Sequence, residues 1–146
     1  MRRAPSIRRS VSATLAAIVG FACGGPHPAG APPEVLCLAV EDCFLEIDHA
    51  LLGTVFCEDN FAGGYCTHTC ETDEDCCAIE GECAPEIAHV CTPLADDETK
   101  RCWVSCEEDA LGGADPTTYC RMHAGSGTGC RSSGGGSENR DICVPP

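Results

Sequence analysis

Hydrophobic positions follow two regimes along the chain. Between Val11 and Ala22 they form one nearly continuous stretch that includes Leu15, Ile18, Val19 and Phe21, with Arg2, Arg3, Arg8 and Arg9 ahead of it. The stretch is about 12 residues long, short of the roughly 20 that a membrane-spanning helix needs. With its basic flank it reads as a secretory signal over residues 1–22. Residues 24–36 (GGPHPAGAPPEVL) carry no periodicity and read as a flexible tether after residue 23.

From residue 37 onward apolar positions come in short runs between cysteines and turn-forming residues. Thr54 to Cys57, Gly64 to Thr67, Ala88 to Thr92, Cys102 to Val104 and Ile142 to Val144 read as short strands. Phe44, Ile47 and Leu51 recur at helical spacing beside Leu45 and Leu52, which predicts a helix from about Asp42 to Leu52. Ser105-x-x-Glu108 ahead of Leu111, and Thr72-x-x-Asp75 ahead of Cys76, are capping-box patterns that predict a helical turn or two each. Gly112-Gly113 would stop the first of these. Residues 125–139 (GSGTGCRSSGGGSEN) read as a flexible loop held at Cys130.

Composition changes the picture. The 146 residues include 15 cysteines but only 4 Phe, 2 Tyr and 1 Trp. Such a chain cannot rely on a large apolar core, and its cysteine content points to disulfides formed in an oxidising compartment. The expected fold class is small and disulfide-rich, with little regular secondary structure beyond short strands and one or two short helices. Setting Cys23 aside leaves an even fourteen: Cys37, Cys43, Cys57, Cys66, Cys70, Cys76, Cys77, Cys83, Cys91, Cys102, Cys106, Cys120, Cys130 and Cys143. All can then pair, although the sequence leaves the pairing open. Cys37-x-x-x-Glu41-Asp42-Cys43 and Cys70-x-x-x-Glu74-Asp75-Cys76 repeat one pattern, and Cys106-Glu107-Glu108-Asp109 opens in a similar way. Division at these points predicts about three disulfide-closed modules in the body 37–146, at residues 37–66, 70–102 and 106–143.

Charge narrows the function classes. The net charge is −14, and all 23 acidic residues lie beyond residue 22, where only five basic ones remain. Nucleic acid is not an expected partner, because binding it requires Lys and Arg to neutralise phosphates. Cys66-Thr-His68-Thr-Cys70 brings potential zinc ligands together, but an oxidising compartment turns thiolates into disulfides and no C-x2-C pair occurs. Glu71, Asp73, Glu74 and Asp75, like Glu107, Glu108 and Asp109, group hard oxygen ligands without the EF-hand spacing, and read as solvated acidic faces. No metal or cofactor is therefore assigned. No catalytic residue is assigned either: no nucleophile-elbow, zinc-protease or phosphate-loop motif occurs, Lys100 is the only lysine, and His49, His89 and His123 show no partner in sequence. Trp103, Tyr65, Tyr119, Phe56 and Phe61 could form a contact patch or the core; Trp103, next to Cys102, is expected to pack inside.

Two resemblances add an address. Gly20-Phe21-Ala22-Cys23-Gly24 resembles a bacterial lipobox, which implies lipidation of Cys23. Gly24 in place of the inner-membrane retention Asp favours the outer membrane. Gly63-Gly64-Tyr65-Cys66-Thr67-x-x-Cys70-x-x-Asp73-x-Asp75-Cys76, followed by Tyr119-Cys120-Arg121, resembles cysteine-rich lipoproteins of gliding, predatory bacteria over most of residues 37–143. That resemblance implies an envelope location and a disulfide module, with the membrane as partner through the N-terminal lipid and a protein or glycan as partner of the body. The order of Cys70, Cys76, Cys77, Cys83 and Cys91 is similar to Dickkopf-type domains and, with Cys66, to knottins. The expected function is a non-enzymatic envelope lipoprotein acting as a surface binding or structural module. The alternative is a secreted knottin-like inhibitor of a protease or other hydrolase.

Overall fold

Three two-stranded antiparallel sheets form the frame: β1 (Val55–Glu58) with β2 (Tyr65–His68), β3 (His89–Pro93) with β4 (Lys100–Val104), and β5 (Gly129–Ser132) with β6 (Asp141–Val144). The computed structural model describes residues 37–45, 47, 50–95 and 97–146; the signal segment, Cys23, the tether and His49 lie outside them. Each sheet sets one cysteine opposite another, Cys57 facing Cys66, Cys91 facing Cys102, and Cys130 facing Cys143. The facing cysteines do not join each other. Each reaches back to the segment before its hairpin, through Cys37–Cys57 and Cys43–Cys66, Cys70–Cys91 and Cys76–Cys102, and Cys106–Cys130 and Cys120–Cys143. In every module the first cysteine joins the third and the second joins the fourth. Cys77–Cys83 is the one bridge outside this interlaced order. The fold is thus small and disulfide-rich, in three disulfide-closed modules with two short helices, as the composition predicted.

The acidic positions of the repeat have a backbone task. Asp42 Oδ2 accepts the N–H groups of Leu38 and Ala39 at 2.8 and 3.0 Å, and Asp75 Oδ2 accepts those of Glu71 and Thr72, both at 2.9 Å. Each aspartate caps a 3-10 turn, Val40–Asp42 or Asp73–Cys77, that carries the chain from a module's first cysteine to its second. The helix expected from Asp42 to Leu52 does not form among the described residues. Cys43 is extended (φ −87°, ψ 137°) and Phe44 is left-handed (φ 58°), so the helical path ends where Cys43 turns to meet Cys66. Helical spacing of apolar residues loses here to the position of a bridge.

The third module departs further from expectation. Helix α1 (Glu108–Leu111) forms and ends at left-handed Gly112, but Glu107 is its N-cap, because Ser105 is held in an extended bridge to Ile142. Helix α2 (Pro116–His123) was not expected. Asp115 Oδ1 accepts the Thr118 N–H at 2.8 Å and Pro116 occupies the first turn, a favourable start for a helix. Residues 129–132, expected within a flexible loop, form β5, anchored by Cys130 and paired along its length with β6.

One device joins the modules. Beyond β2, Thr69 bridges to Arg101 and the Cys70 N–H donates to the Lys100 carbonyl at 3.3 Å. Beyond β4, Ser105 bridges to Ile142 and the Cys106 N–H donates to the Asp141 carbonyl at 2.9 Å. Both junctions pair the residue before a module's first cysteine with the residue before its last. A single core crosses them: Phe61 and Tyr65 from the first module, Ile87, Val90 and Trp103 from the second, Tyr119 and Ile142 from the third. Trp103 is fully buried, stacks on Phe61 and Tyr65 at 5.9 and 5.6 Å, and donates its indole N–H to the Thr92 carbonyl at 3.1 Å. Of the aromatics weighed as a contact patch, only Phe56 stays half-exposed, and the Arg101 guanidinium covers it at 4.7 Å.

The caps make stability depend on acid. The N–H groups of Thr72 and Glu71 hold the Asp75 carboxyl below its ordinary value of 3.8. Its contribution is therefore complete above that value and vanishes as pH falls through the lowered folded value. Asp75→Ala should lower the thermal midpoint at pH 7, with the gap to the parent closing on strong acidification, as followed by circular dichroism. A gap that stays constant from neutral to strongly acidic pH would contradict the cap.

Candidate functional site

His68, the last residue of β2, is 1% exposed. Its Nδ1 lies 2.9 Å from the Thr69 carbonyl oxygen and its Nε2 bonds Oε1 of Glu82, itself 8% exposed. Both partners are acceptors, so both ring nitrogens carry protons and the ring is an imidazolium. Burial opposes that charge, but the Glu82 hydrogen bond, the Thr69 carbonyl and the Glu82 charge outweigh it and raise the His68 pKa. Glu82 is fixed in turn by the Ile79 N–H, which donates to its other oxygen at 3.1 Å. The pair joins β2 of the first module to the loop of the second that precedes β3.

The space around the pair is small. Phe44, Ile87, His89, Val104 and His123 help to line it, and it holds about 30 Å³, room for one or two waters. His89 Nδ1 sits 3.1 Å from the Ile87 carbonyl oxygen and 3.5 Å from Cys77 Sγ, and burial lowers the His89 pKa so that this ring is neutral near pH 7. The His123 ring packs on Tyr119 at 4.4 Å. The three described histidines thus line one cleft while only His68 holds a carboxylate.

Three of the five cations of the body sit in ion pairs between distant segments. Arg101 joins Glu58 of the first module, at 3.1 Å, to Asp97 of the second, at 2.6 Å. Arg140 takes both Glu107 oxygens at 2.7 Å and Asp73 of the second module at 2.8 Å, and its hydrogen bonds hold the Glu107 carboxyl below the usual range. Lys100 reaches Glu138 at 2.6 Å. The acidic groups read as solvated faces are therefore partly structural. Asp73 also accepts the Cys91 N–H at 2.7 Å and Asp75 caps its turn, while Glu71 and Glu74 stay exposed.

All fourteen cysteines assigned to pairing are bridged. Cys66 and Cys70, weighed as zinc ligands with His68, are bonded to Cys43 and Cys91. A closed knot among Cys66, Cys70, Cys76, Cys77, Cys83 and Cys91 does not form, since Cys66 and Cys76 pair outside that set. Among the described residues, each group of ligand atoms close enough to share a metal contains at least two bridged cysteines, as in the group of Cys77, Cys83 and His89. Sequence reasoning missed Glu82, Arg101 and Arg140. The two arginines had a signal, since five cations among 23 carboxylates are each in demand as partners. Glu82 had none, lying 14 residues from His68 in a loop without periodicity.

No protein-family model, curated protein or solved structure matches the chain. Among the described residues no helix is long and apolar enough to cross a membrane.

Removing one member of a buried ion pair leaves the other uncompensated, a loss of about 3–5 kcal/mol. Glu82→Gln should lower stability toward urea by that order. Because the folded His68 pKa is raised, its contribution is complete below the ordinary value of 6.5 and is lost as pH rises through the higher folded value. The parent should lose this increment on the alkaline side, and Glu82→Gln should show no such loss. An identical alkaline slope in both would remove the pair from the account.

Proposed function

We propose that the chain is an envelope lipoprotein, anchored through lipid on Cys23, whose rigid acidic body serves as a non-catalytic surface binding or structural module. The observation that carries this reading is the distribution of charge on a braced frame. Arg101 and Arg140 are spent on joints between modules, and Glu41, Asp59, Glu74, Glu86, Glu108 and Asp109 remain exposed. A one-signed surface of this kind repels nucleic acid and anionic lipid headgroups, and steers toward basic or neutral protein or glycan partners. The sealing of His68 against Glu82 also favours a structural role for the groups most able to do acid–base work. Resemblance of residues 20–24 to a lipobox, and of residues 63–76 to cysteine-rich envelope lipoproteins, supports the address.

Intact mass and membrane fractionation of the full chain, expressed in a bacterium with a lipoprotein-processing envelope, test the anchor. The mature protein should begin at Cys23, carry added acyl mass and sediment with membranes, and Cys23→Ser should abolish all three. A mature N-terminus elsewhere, or no acyl mass, would overturn the anchored reading.

A further inference from the structure

Six of the seven bridges lace a hairpin to the segment before it; Cys77–Cys83 laces nothing. It closes a loop across a sequence separation of 6, against 20 to 26 for the others, and no strand contains either cysteine. Each of the other six has at least one buried cysteine, whereas Cys77 is exposed and Cys83 half-buried. Opening this bridge leaves every strand pairing and every interlaced bridge in place.

The surroundings of the two sulfurs differ in a way that suits exchange. Cys77 Sγ faces His89 Nδ1 at 3.5 Å, and the same nitrogen lies 3.1 Å from the Ile87 carbonyl oxygen, so it carries a proton that a thiolate at Cys77 can share. Cys83 Sγ lies 3.1 Å from the Cys76 carbonyl oxygen, an acceptor ready for a thiol proton. One sulfur is exposed and stabilised as thiolate; the other is sheltered and stabilised as thiol. A disulfide opens by attack on an accessible sulfur, and thiolate character decides how its cysteine reacts afterwards.

We propose that Cys77–Cys83 is a thiol–disulfide exchange site whose substrate class is an external dithiol, with His89 as a positioning residue for the Cys77 thiolate. A thiolate of the dithiol attacks Cys77 Sγ, forming a mixed disulfide and breaking the Cys77–Cys83 bond. The electron pair leaves on Cys83 Sγ, which takes a proton and donates it to the Cys76 carbonyl. The second thiol of the reagent then attacks its own sulfur in the mixed disulfide and expels the Cys77 thiolate beside His89. Two electrons and two protons pass from the dithiol to the bridge, and the reagent departs as a disulfide. The reverse sequence lets the reduced protein reduce an oxidised partner.

Titration of the native full chain with dithiothreitol, with free thiols trapped by N-ethylmaleimide and mapped by peptide mass, tests the site. The first two labels should fall on Cys77 and Cys83, at a reductant concentration about tenfold or more below that which opens any other pair. The near-ultraviolet circular dichroism of buried Trp103 should be unchanged at that point. First labels on another pair, or simultaneous opening of all bridges, would overturn the proposal. In the singly reduced protein, His89→Ala should slow labelling of Cys77 by about three- to tenfold at neutral pH without slowing that of Cys83. Equal slowing of both, or of neither, would remove His89 from the mechanism. The native titration decides on the bridge even where that variant does not fold.

Discussion

A pair of cysteines facing each other across a hairpin, each bonded elsewhere, is the constraint on which this structure rests. Opposed residues of an antiparallel pair lie on the same face with their side chains about 5 Å apart. Both sulfurs of such a pair must therefore find partners on that one face, and the only chain able to supply them is the segment leading into the hairpin. The interlaced order follows in all three modules: Cys57 and Cys66 take Cys37 and Cys43, Cys91 and Cys102 take Cys70 and Cys76, Cys130 and Cys143 take Cys106 and Cys120. In the first two modules a turn capped by Asp42 or Asp75 brings the leading segment across the strands. The third spans the longer interval between Cys106 and Cys120 with α1 and most of α2 instead.

Placing the sulfurs on one face frees the other. Successive strand residues point to opposite faces, so the neighbours of a bridged cysteine look away from the bridge. In the second module Cys70, Cys76, Cys91 and Cys102 cluster together, while Val90 and Trp103, partners in the β3–β4 register, belong to the core shared with both other modules. The junctions reinforce this sharing. Three residues separate Cys66 from Cys70 and Cys102 from Cys106, too few for a turn and enough for the chain to run on extended into the next module's last strand. At such a junction Gly64 passes Cys37 so closely that a Cβ would lie 2.1 Å from its carbonyl oxygen, and its φ of +79° suits glycine alone. The modules are repeats in connectivity and one body in packing.

What could be read in the sequence follows from which forces act locally. Five of the six strands were legible because β-branched and aromatic residues flank their cysteines, and the fold class followed from the ratio of cysteine to large apolar side chains. Strand β5 was not legible: Gly129-Cys130-Arg131-Ser132 has no strand propensity of its own and is held by Cys143 opposite it and by the bridge to Cys106. The segment after Asp42 shows the converse, since its helical periodicity was real but Cys43 had to reach Cys66. Helix α2 carried a plain Asp115-Pro116 start that was taken for an interruption of the repeat. The His68–Glu82 pair was beyond reach, because periodicity describes elements and Glu82 sits in a loop placed by Cys76–Cys102 and Cys77–Cys83.

Scarcity of cations then shapes the surface as much as the interior. Arg101 and Arg140 each hold two carboxylates from different segments, which neutralises the junctions where acidic chains would otherwise meet. The same economy leaves the outward carboxylates without partners, and their mutual repulsion opposes compaction most strongly at low ionic strength. A thin apolar core would yield to that repulsion, whereas covalent bridges are indifferent to it. The interlaced disulfides thus do more than replace missing apolar area: they allow this small body to remain folded while presenting a surface of almost a single sign.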